Sequence, residues 1–502
     1  MKNLMKIIFV FLIFLMVFIT FSCSTNSNSG NDGNSQPDNK IAGDNNSGDG
    51  AADGKTAAEA EIPFPHETRD FGGVTFKVLI DQEDVNLLDI EDIDVESVNG
   101  EVLNDAYYSR KVLVEDTYNI KLEGVHVNNY QISNYIEKSV KAGLDEYDAC
   151  APRLGVAGTF AVSGYGANVI GTNLTLDAPW WDQNIISDTS IGGAAYIIAG
   201  DIFIKHYDGI SLLMFNKKLL RDLGLESPYQ AVYDNKWTMD KFNQMVKGVT
   251  FDLDGNGKMD RYDRYGFVTQ ADYVSSFINA CGEKLVTKNK EDLPVFTGNT
   301  EKITNVIDKL LEIYIDDTYC LHRDAKAVSL SQFWVFPEGR GLFYWGLPRY
   351  INLGLRDMED DFGILPIPKW DSNQSRYYAT LNGWHSYTYM IPITVTDVDR
   401  SSYILDAMAY HGRKIIKPAY YDVCLQRKYT RDEESSAMLD IIFSSTVYDL
   451  GEVYQVGGFI GAVVSDFWGK NINSTVVQYD KLSGKIDKDI EDLIANFENA
   501  KN

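Results

Sequence analysis

Residues Gly339 to Lys369 read GRGLFYWGLPRYINLGLRDMEDDFGILPIPK, and the reading of this stretch decides the fold. It begins small and aromatic, with Phe343, Tyr344 and Trp345 behind Gly339 and Gly341, and it is charged from Arg356 to Asp361. Phe362 to Pro368 is an apolar run interrupted by Pro366 and Pro368. A proline has no amide to donate to a ladder, so this run can be a strand only briefly before it leaves the sheet. On these residues alone two readings stay open. One is a short strand that becomes a rigid connector between two bodies, and the other is an ordinary edge strand and turn.

The surrounding chain has 502 residues and is 44% hydrophobic and 12% aromatic. That is enough for two or three domains with a sizeable core, and aromatics remain for surfaces. Lys and Arg number 46 against 72 Asp and Glu, a net charge of −26. Such acidity argues against nucleic acid, or an anionic membrane face, as a partner.

Lys2 and Lys6 precede the apolar run Ile7 to Phe21. The run is shorter than the roughly 20 residues of a membrane span and suits a secretion signal, residues 1–22. Ser22-Cys23 at its end resembles a bacterial lipobox, although Thr20 and Phe21 depart from the usual pattern. In that reading Cys23 is lipidated and anchors the mature chain to the cell membrane. Residues 23–61 are rich in Asn, Ser, Gly, Asp and Ala and read as a flexible tether. Gly54-Lys55-Thr56 is no phosphate loop, because Asp49 stands where the first glycine belongs. Cys150, Cys281, Cys320 and Cys424 lack paired spacing; buried thiols are the expectation, with one or two disulfides, which a secreted context permits, as the alternative.

Val74 to Ile80 is β-rich after Gly72-Gly73, and Asn99 to Tyr118 carries a helical stripe. Ile120 to Val127 reads as strand, Tyr130 to Leu144 as helix and Tyr147 to Ala151 as strand. This alternation predicts an α/β layer with parallel pairing. Ligands in such sheets sit beyond the carboxyl ends of strands, which makes Asp148 a candidate polar contact. Trp180-Trp181 follow Ala178-Pro179, and two adjacent tryptophans after a proline are not expected to share one core. Thr238 is expected to cap a helix, with Trp237 stapled onto Phe242. Thr300 to Ile315 and Leu482 to Phe497 are expected to be helices, Thr388 to Ile393 a strand, and Thr430 with Glu433 a capping box.

Asp252 to Asp263, DLDGNGKMDRYD, is the sharpest local motif. Asp252, Asp254, Asn256, Asp260 and Asp263 occupy relative positions 1, 3, 5, 9 and 12. Gly257 stands where the loop must turn, and Lys258 can supply its carbonyl. This is the spacing of an EF-hand calcium loop with Asp in place of the bidentate Glu. A second flanking loop is absent from the sequence, so the expectation is a structural Ca2+ and not a sensor.

Nothing in the sequence favours catalysis. None of the six histidines lies in an HExxH pattern, and no GxSxG elbow occurs. The carboxylates are too numerous for an acid–base pair to stand out. His385, between Trp384 and Ser386, reads as a hydrogen-bonded wall residue.

Taken in order, several pieces resemble the family-1 extracellular solute-binding proteins of carbohydrate ABC transporters, the maltose-binding-protein-like group. They are the lipobox-like Cys23, LLMFNKKLL at Leu212 to Leu220, WTMDKF at Trp237 to Phe242, the Asp252 to Phe267 loop, GRGLFYWG and FGILPIPK. The resemblance covers roughly residues 70 to 500. It implies a type II binding-protein fold, two α/β lobes of mixed sheet and flanking helices joined by hinge crossovers. The first crossing would be Asp208 to Phe215 and the second Phe362 to Pro366. Lobe I would take residues 62–209 and 363–418. Lobe II would take 210–362 and, with the C-terminal helices, 419–502. The implied function is a lipid-anchored, non-catalytic subunit on the outer face of the cytoplasmic membrane. It would close around a sugar or oligosaccharide and deliver it to permease subunits. Aromatic faces would pack on sugar C–H faces and polar groups would pair with hydroxyls. In that frame the candidate contacts are Asp148, Trp180, Trp181, Trp345, Arg349 and Trp384, while Trp237, Trp370 and Trp468 are structural. The chain departs from the maltose-binding pattern at Trp345, which follows GRGLFY directly. Two other classes remain open: a surface glycan-active lyase or hydrolase using the same aromatic cleft, and a calcium-stiffened surface protein.

Overall fold

The computed structural model describes residues 62–82, 93–128, 131–269, 273–314, 318–322, 335–351, 355, 358–420 and 433–499. The signal, Cys23, the tether, Cys424 and the Thr430 half of the capping box lie outside them. The chain divides into Met1–Ile62 and Pro63–Asn502, and the architecture below belongs to the second unit.

Strand β1 (Val74–Gln82) runs parallel to β2 (Ile120–Asn128) and β3 (Ala149–Ala151) in the order β2-β1-β3. Parallel neighbours need long crossovers, and the helices Val102–Tyr118 and Ile132–Ala142 supply them. The first buries Ala106, Tyr107, Arg110, Val114 and Tyr118, a stripe at helical spacing. The sheet continues beyond β3 through antiparallel bridges, Cys150 with Met390 and Arg153 with Tyr387, and Tyr389 in turn bridges Ile198.

The second lobe is a five-stranded sheet of β4 (Leu212–Asn216), β5 (Tyr265–Thr269), β8 (Cys320–His322), β9 (Gly341–Gly346) and β10 (Phe362–Leu365). Its order is β10-β4-β9-β5-β8, with β5 parallel to β8 and β9, and β4 antiparallel to β9 and β10. A hairpin of β6 (Val286–Lys288) and β7 (Pro294–Phe296) stands apart. Every residue of β4, β5, β9 and β10 is buried, as expected of strands covered on both faces. Both lobes share one plan. Three parallel strands stand with the first in the middle, followed by an antiparallel strand and a last strand. In each lobe the antiparallel strand lies next to a crossing, β4 just after the outward one and residues 387–392 just after the return.

Among the described residues, three backbone segments meet where the lobes join. Ile210 bridges Leu381, Ser211 N donates to Thr380 O at 2.9 Å, and Asn382 N donates to Gly209 O at 2.8 Å. Beside them β11 (Ala379–Thr380) pairs in parallel with β12 (Thr446–Val447). The expected crossing at Phe362–Pro366 is therefore displaced. Phe362–Leu365 is the edge strand β10, so the edge-strand alternative was right for those residues. Pro366 and Pro368 do end the strand, but the chain stays on lobe II. Trp237 Nε1 donates to Pro366 O at 2.9 Å, and Lys369 N donates to Trp237 O at 3.2 Å. The return to lobe I falls at residues 379–382.

The helix Val398–Pro418 packs on the helix Val102–Tyr118 of lobe I. Residues 419–502 do not belong to lobe II alone. The helix Glu433–Phe443 covers β10, where Ile364 N donates to Ser435 Oγ at 3.1 Å. After β12, Val453 O lies so near Gly158 of lobe I that a Cβ there would meet it at 1.8 Å. The last helix, Thr475–Asn499, reaches both lobes through Tyr479 stacked on Phe296 and Phe497 against Tyr196. Thr238 caps its helix by accepting from Lys241 N, and Trp237 meets Phe242 edge to face at 6.1 Å. Cys150, Cys281 and Cys320 are buried thiols, and burial pushes those of Cys150 and Cys281 up. Among the described residues no helix is long and apolar enough to cross a membrane.

Candidate functional site

The crossings gather a polar cluster. The turn Ile204–Gly209 runs into the first crossing and carries Lys205 and Asp208. Asp208 is half-buried, and its Oδ1 accepts from the Tyr420 hydroxyl at 2.9 Å. Burial pushes its carboxyl up, while the Tyr420 hydrogen bond and the charges of Arg349 and Lys205 draw it back. A partly exposed carboxylate engaged on one oxygen is suited to accept from a ligand hydroxyl.

Arg349 arrives from the other lobe. β9 ends at Gly346, and Pro348 starts the short helical turn Pro348–Tyr350. Arg349 Nη1 lies 2.8 Å from His385 Nδ1, and the Tyr350 hydroxyl lies 3.3 Å from His385 Nε2. His385 belongs to the loop just after the return crossing. Trp384 N donates to Asn382 Oδ1 at 2.9 Å, and the N–H groups of His385 and Ser386 both turn onto Asn382 O. This Asx turn holds Trp384 outward, 58% exposed. The same loop caps the helix Leu154–Val162, because Leu154 N donates to Ser386 O and Gly155 N to Gly383 O. Gly209 lies against it, since a Cβ at Gly209 would meet Ser386 Oγ at 2.0 Å.

On the lobe I side Asp81 and Arg153 stand at the carboxyl ends of β1 and β3. They form a buried ion pair, Nε to Oδ2 at 3.3 Å. The Arg153 guanidinium lies 5.7 Å from the Tyr387 ring centre, and Lys205 Nζ lies 5.4 Å from the same ring. Arg153, Tyr387 and Lys205 form one group of neighbours and Arg349, His385 and Trp384 another, with Asp208 feeling the charges of both Lys205 and Arg349; they gather at the strand ends, where open α/β sheets hold ligands.

Of the predicted contacts, the structure brings Arg349 and Trp384 together through His385 and removes four others. Asp148 precedes β3, at its amino end and not its carboxyl end. Both its oxygens are engaged, Oδ1 by Arg400 Nη2 and Oδ2 by Lys77 N, each at 2.8 Å. Trp180 and Trp181 are 1% and 3% exposed, so both do face one core. The expectation failed because Asp406 is buried with them and accepts both indole N–H groups on Oδ1, at 2.8 and 2.7 Å. Trp345 is fully buried in β9 opposite Leu213. Asp81, Arg153, Lys205 and Asp208 were missed. Their one signal in sequence was place: the end of a first strand, two residues past a third, and the approach to a crossing.

The acidic loop lies elsewhere. β5 is parallel to β9, so the loop before Tyr265 sits at the end of the sheet opposite Arg349. Phe251 pairs with Arg264 and closes the loop, which enters a strand and not a second helix. Asp252, Asp254 and Asp263 each offer an oxygen within 4.8 Å of the others. Asp252 accepts from Gly257 N and Gly255 N at 2.7 Å, with Gly255 and Gly257 at φ +70° and +76°. These backbone bonds, that from Gly257 foremost, hold its carboxyl below the usual range. Asn256 and Asp260 each spend an oxygen on the loop's own backbone, from Lys258 N and Tyr262 N. Convergent carboxylates on a turn of this kind fit a hard cation.

No family model and no curated protein matches the chain. Solved structures do match. An ABC substrate-binding protein from Listeria monocytogenes, in complex with cycloalternan, has 9% identity and a TM-score of 0.54, over 84% of this chain and 98% of that one. M. tuberculosis UspC has 14% identity and a TM-score of 0.54, over 84% and 100%. The maltose-binding periplasmic protein MalE from Listeria monocytogenes, in complex with maltose, has 13% identity and a TM-score of 0.52, over 84% and 97%. At these identities the likeness establishes the fold: two α/β lobes of mixed sheet, as in those binding proteins.

Proposed function

We propose that this chain is the extracellular solute-binding component of an ABC importer, without catalysis of its own. It captures a sugar or oligosaccharide between the lobes and presents it to permease subunits. The observation that carries this reading is the cluster at the crossings. Exposed Trp384 and half-buried Asp208 from one lobe stand with Arg349 from the other, where the two sheets exchange strands. An aromatic face beside a carboxylate and a guanidinium suits a sugar ring with its hydroxyls. Because the contacts come from both lobes, a solute touching them all favours the closed arrangement and shifts the population toward it. The ligands of two structural neighbours, cycloalternan and maltose, agree with this choice.

In the same proposal Cys23 is lipidated and residues 23–61 tether the binding unit to the outer face of the cytoplasmic membrane. A Ca2+ held by Asp252, Asp254 and Asp263, with oxygens from Asn256, Lys258 and Asp260, stiffens the loop ahead of β5. The experiment is a thermal-shift screen of the full chain against mono- and oligosaccharides. Stabilisation by one carbohydrate class supports the reading. No shift, together with product release from a polysaccharide, replaces it with a glycan-active enzyme.

A further inference from the structure

We propose that His385 is a positioning residue for the interlobe site. Its uncharged imidazole holds the Arg349 guanidinium against the loop that carries Trp384, and proton uptake by the ring releases the arginine and weakens solute binding.

A guanidinium is always charged and has donors only, so the His385 Nδ1 that lies 2.8 Å from Arg349 Nη1 is an acceptor. Its hydrogen therefore sits on Nε2, facing the Tyr350 hydroxyl at 3.3 Å. Both partners of the ring belong to one short turn of lobe II, Pro348–Tyr350, while the ring belongs to the lobe I loop. The imidazole is thus an interlobe link that also aims the arginine. A protonated ring has no lone pair left for Arg349 and sets one positive charge against another.

Arg349 and Tyr350 face the ring from the Pro348–Tyr350 turn. Lys205 and Asp208 lie on the Ile204–Gly209 turn, which packs on the ring's own loop through Gly209. Tyr420 engages Asp208, and Arg153 precedes the capped helix with Asp81 as its partner. The two carboxylates of this set already face cations, Asp208 with Arg349 and Lys205, and Asp81 with Arg153. The sign follows. The link needs the neutral ring, so it is present while the ring is uncharged and is lost as falling pH adds a proton to it.

The affinity readout rests on the solute-binding reading, but the ring's hydrogen does not. Nitrogen-15 spectra of the labelled full chain, with His385→Asn assigning the resonance, should show hydrogen on Nε2 at pH 8. Hydrogen on Nδ1 overturns the proposal whether or not any sugar binds. With a carbohydrate taken from the thermal-shift screen, wild-type affinity should fall by up to about tenfold per unit below the titration. His385→Asn keeps an acceptor near the Nδ1 position and does not titrate. It should bind more tightly than His385→Ala, with an affinity that no longer changes with pH. Retention of the acid loss in His385→Asn overturns the proposal, as does equal weakening in both variants. If no carbohydrate binds, the solute-binding reading fails while the tautomer still decides the role of His385.

Discussion

Asp406 carries three donors on one oxygen, and its removal separates a core role for Trp180 and Trp181 from a binding role. Its Oδ1 accepts from Trp180 Nε1, Trp181 Nε1 and Thr175 N at 2.8, 2.7 and 3.1 Å, and its Oδ2 accepts from Thr175 Oγ1 at 2.9 Å. Asp406→Ala leaves the two buried indole N–H groups and the amide without an acceptor. Each orphaned donor costs about 1–3 kcal/mol. A water entering the vacated polar space recovers part of that, which sets the expected loss near 3–6 kcal/mol. The unfolding entropy of a unit as long as Pro63–Asn502 is roughly 0.9 kcal/mol per kelvin, at about 2.1 cal/mol/K per residue. Tm should therefore fall by about 3–7 °C, and by roughly half as much for Asp406→Asn, which keeps one oxygen. Differential scanning calorimetry measures the shift, and titration with a carbohydrate found by the screen measures the second arm. Affinity should stay within about threefold, because Asp406 and both tryptophans lie in the lobe I core. A melt unchanged within about 1 °C refutes the reasoning. So does a loss of affinity without a loss of stability, since it would return the two rings to the groove.

Trp384→Ala should show the opposite pattern, a Kd raised about tenfold by lost stacking and a melt unchanged within about 1 °C, because the ring is 58% exposed. Gly209→Ala places a Cβ 2.7 Å from Ser386 N and 2.9 Å from His385 C, both backbone atoms, so the crossing must shift. It should destabilise by about 1–3 kcal/mol in urea unfolding and weaken solute binding as well. Chelator should lower Tm and added calcium should restore it, and Asp263→Asn should abolish both responses; an unchanged melt on chelation removes the metal.

Much of the fold was legible because periodicity reports burial. The strand–helix–strand run from Val74 to Ala151 and the Trp237–Phe242 staple stand where the residues placed them. The crossings were harder, because they are set by partners distant in sequence. Pro366 marks the end of a strand, yet nothing in its neighbours shows that Trp237 will hold the chain on lobe II for another dozen residues. The site was legible only in part for the same reason. Arg349 and Trp384 were singled out by residue type within the frame of the family resemblance, and the structure sets them beside each other through His385. Trp180 and Trp181 misled because their buried acceptor, Asp406, comes from the far helix Val398–Pro418. Asp208 and Arg153 are unremarkable in sequence and become site residues only through the strand ends that carry them.

A crystal structure of the full chain with the carbohydrate that gives the largest thermal shift tests the central claim most directly. The account predicts the sugar between the lobes, one ring face against Trp384, and polar contacts from Asp208 and Arg349. A sugar held by one lobe alone, away from the crossings, would contradict it.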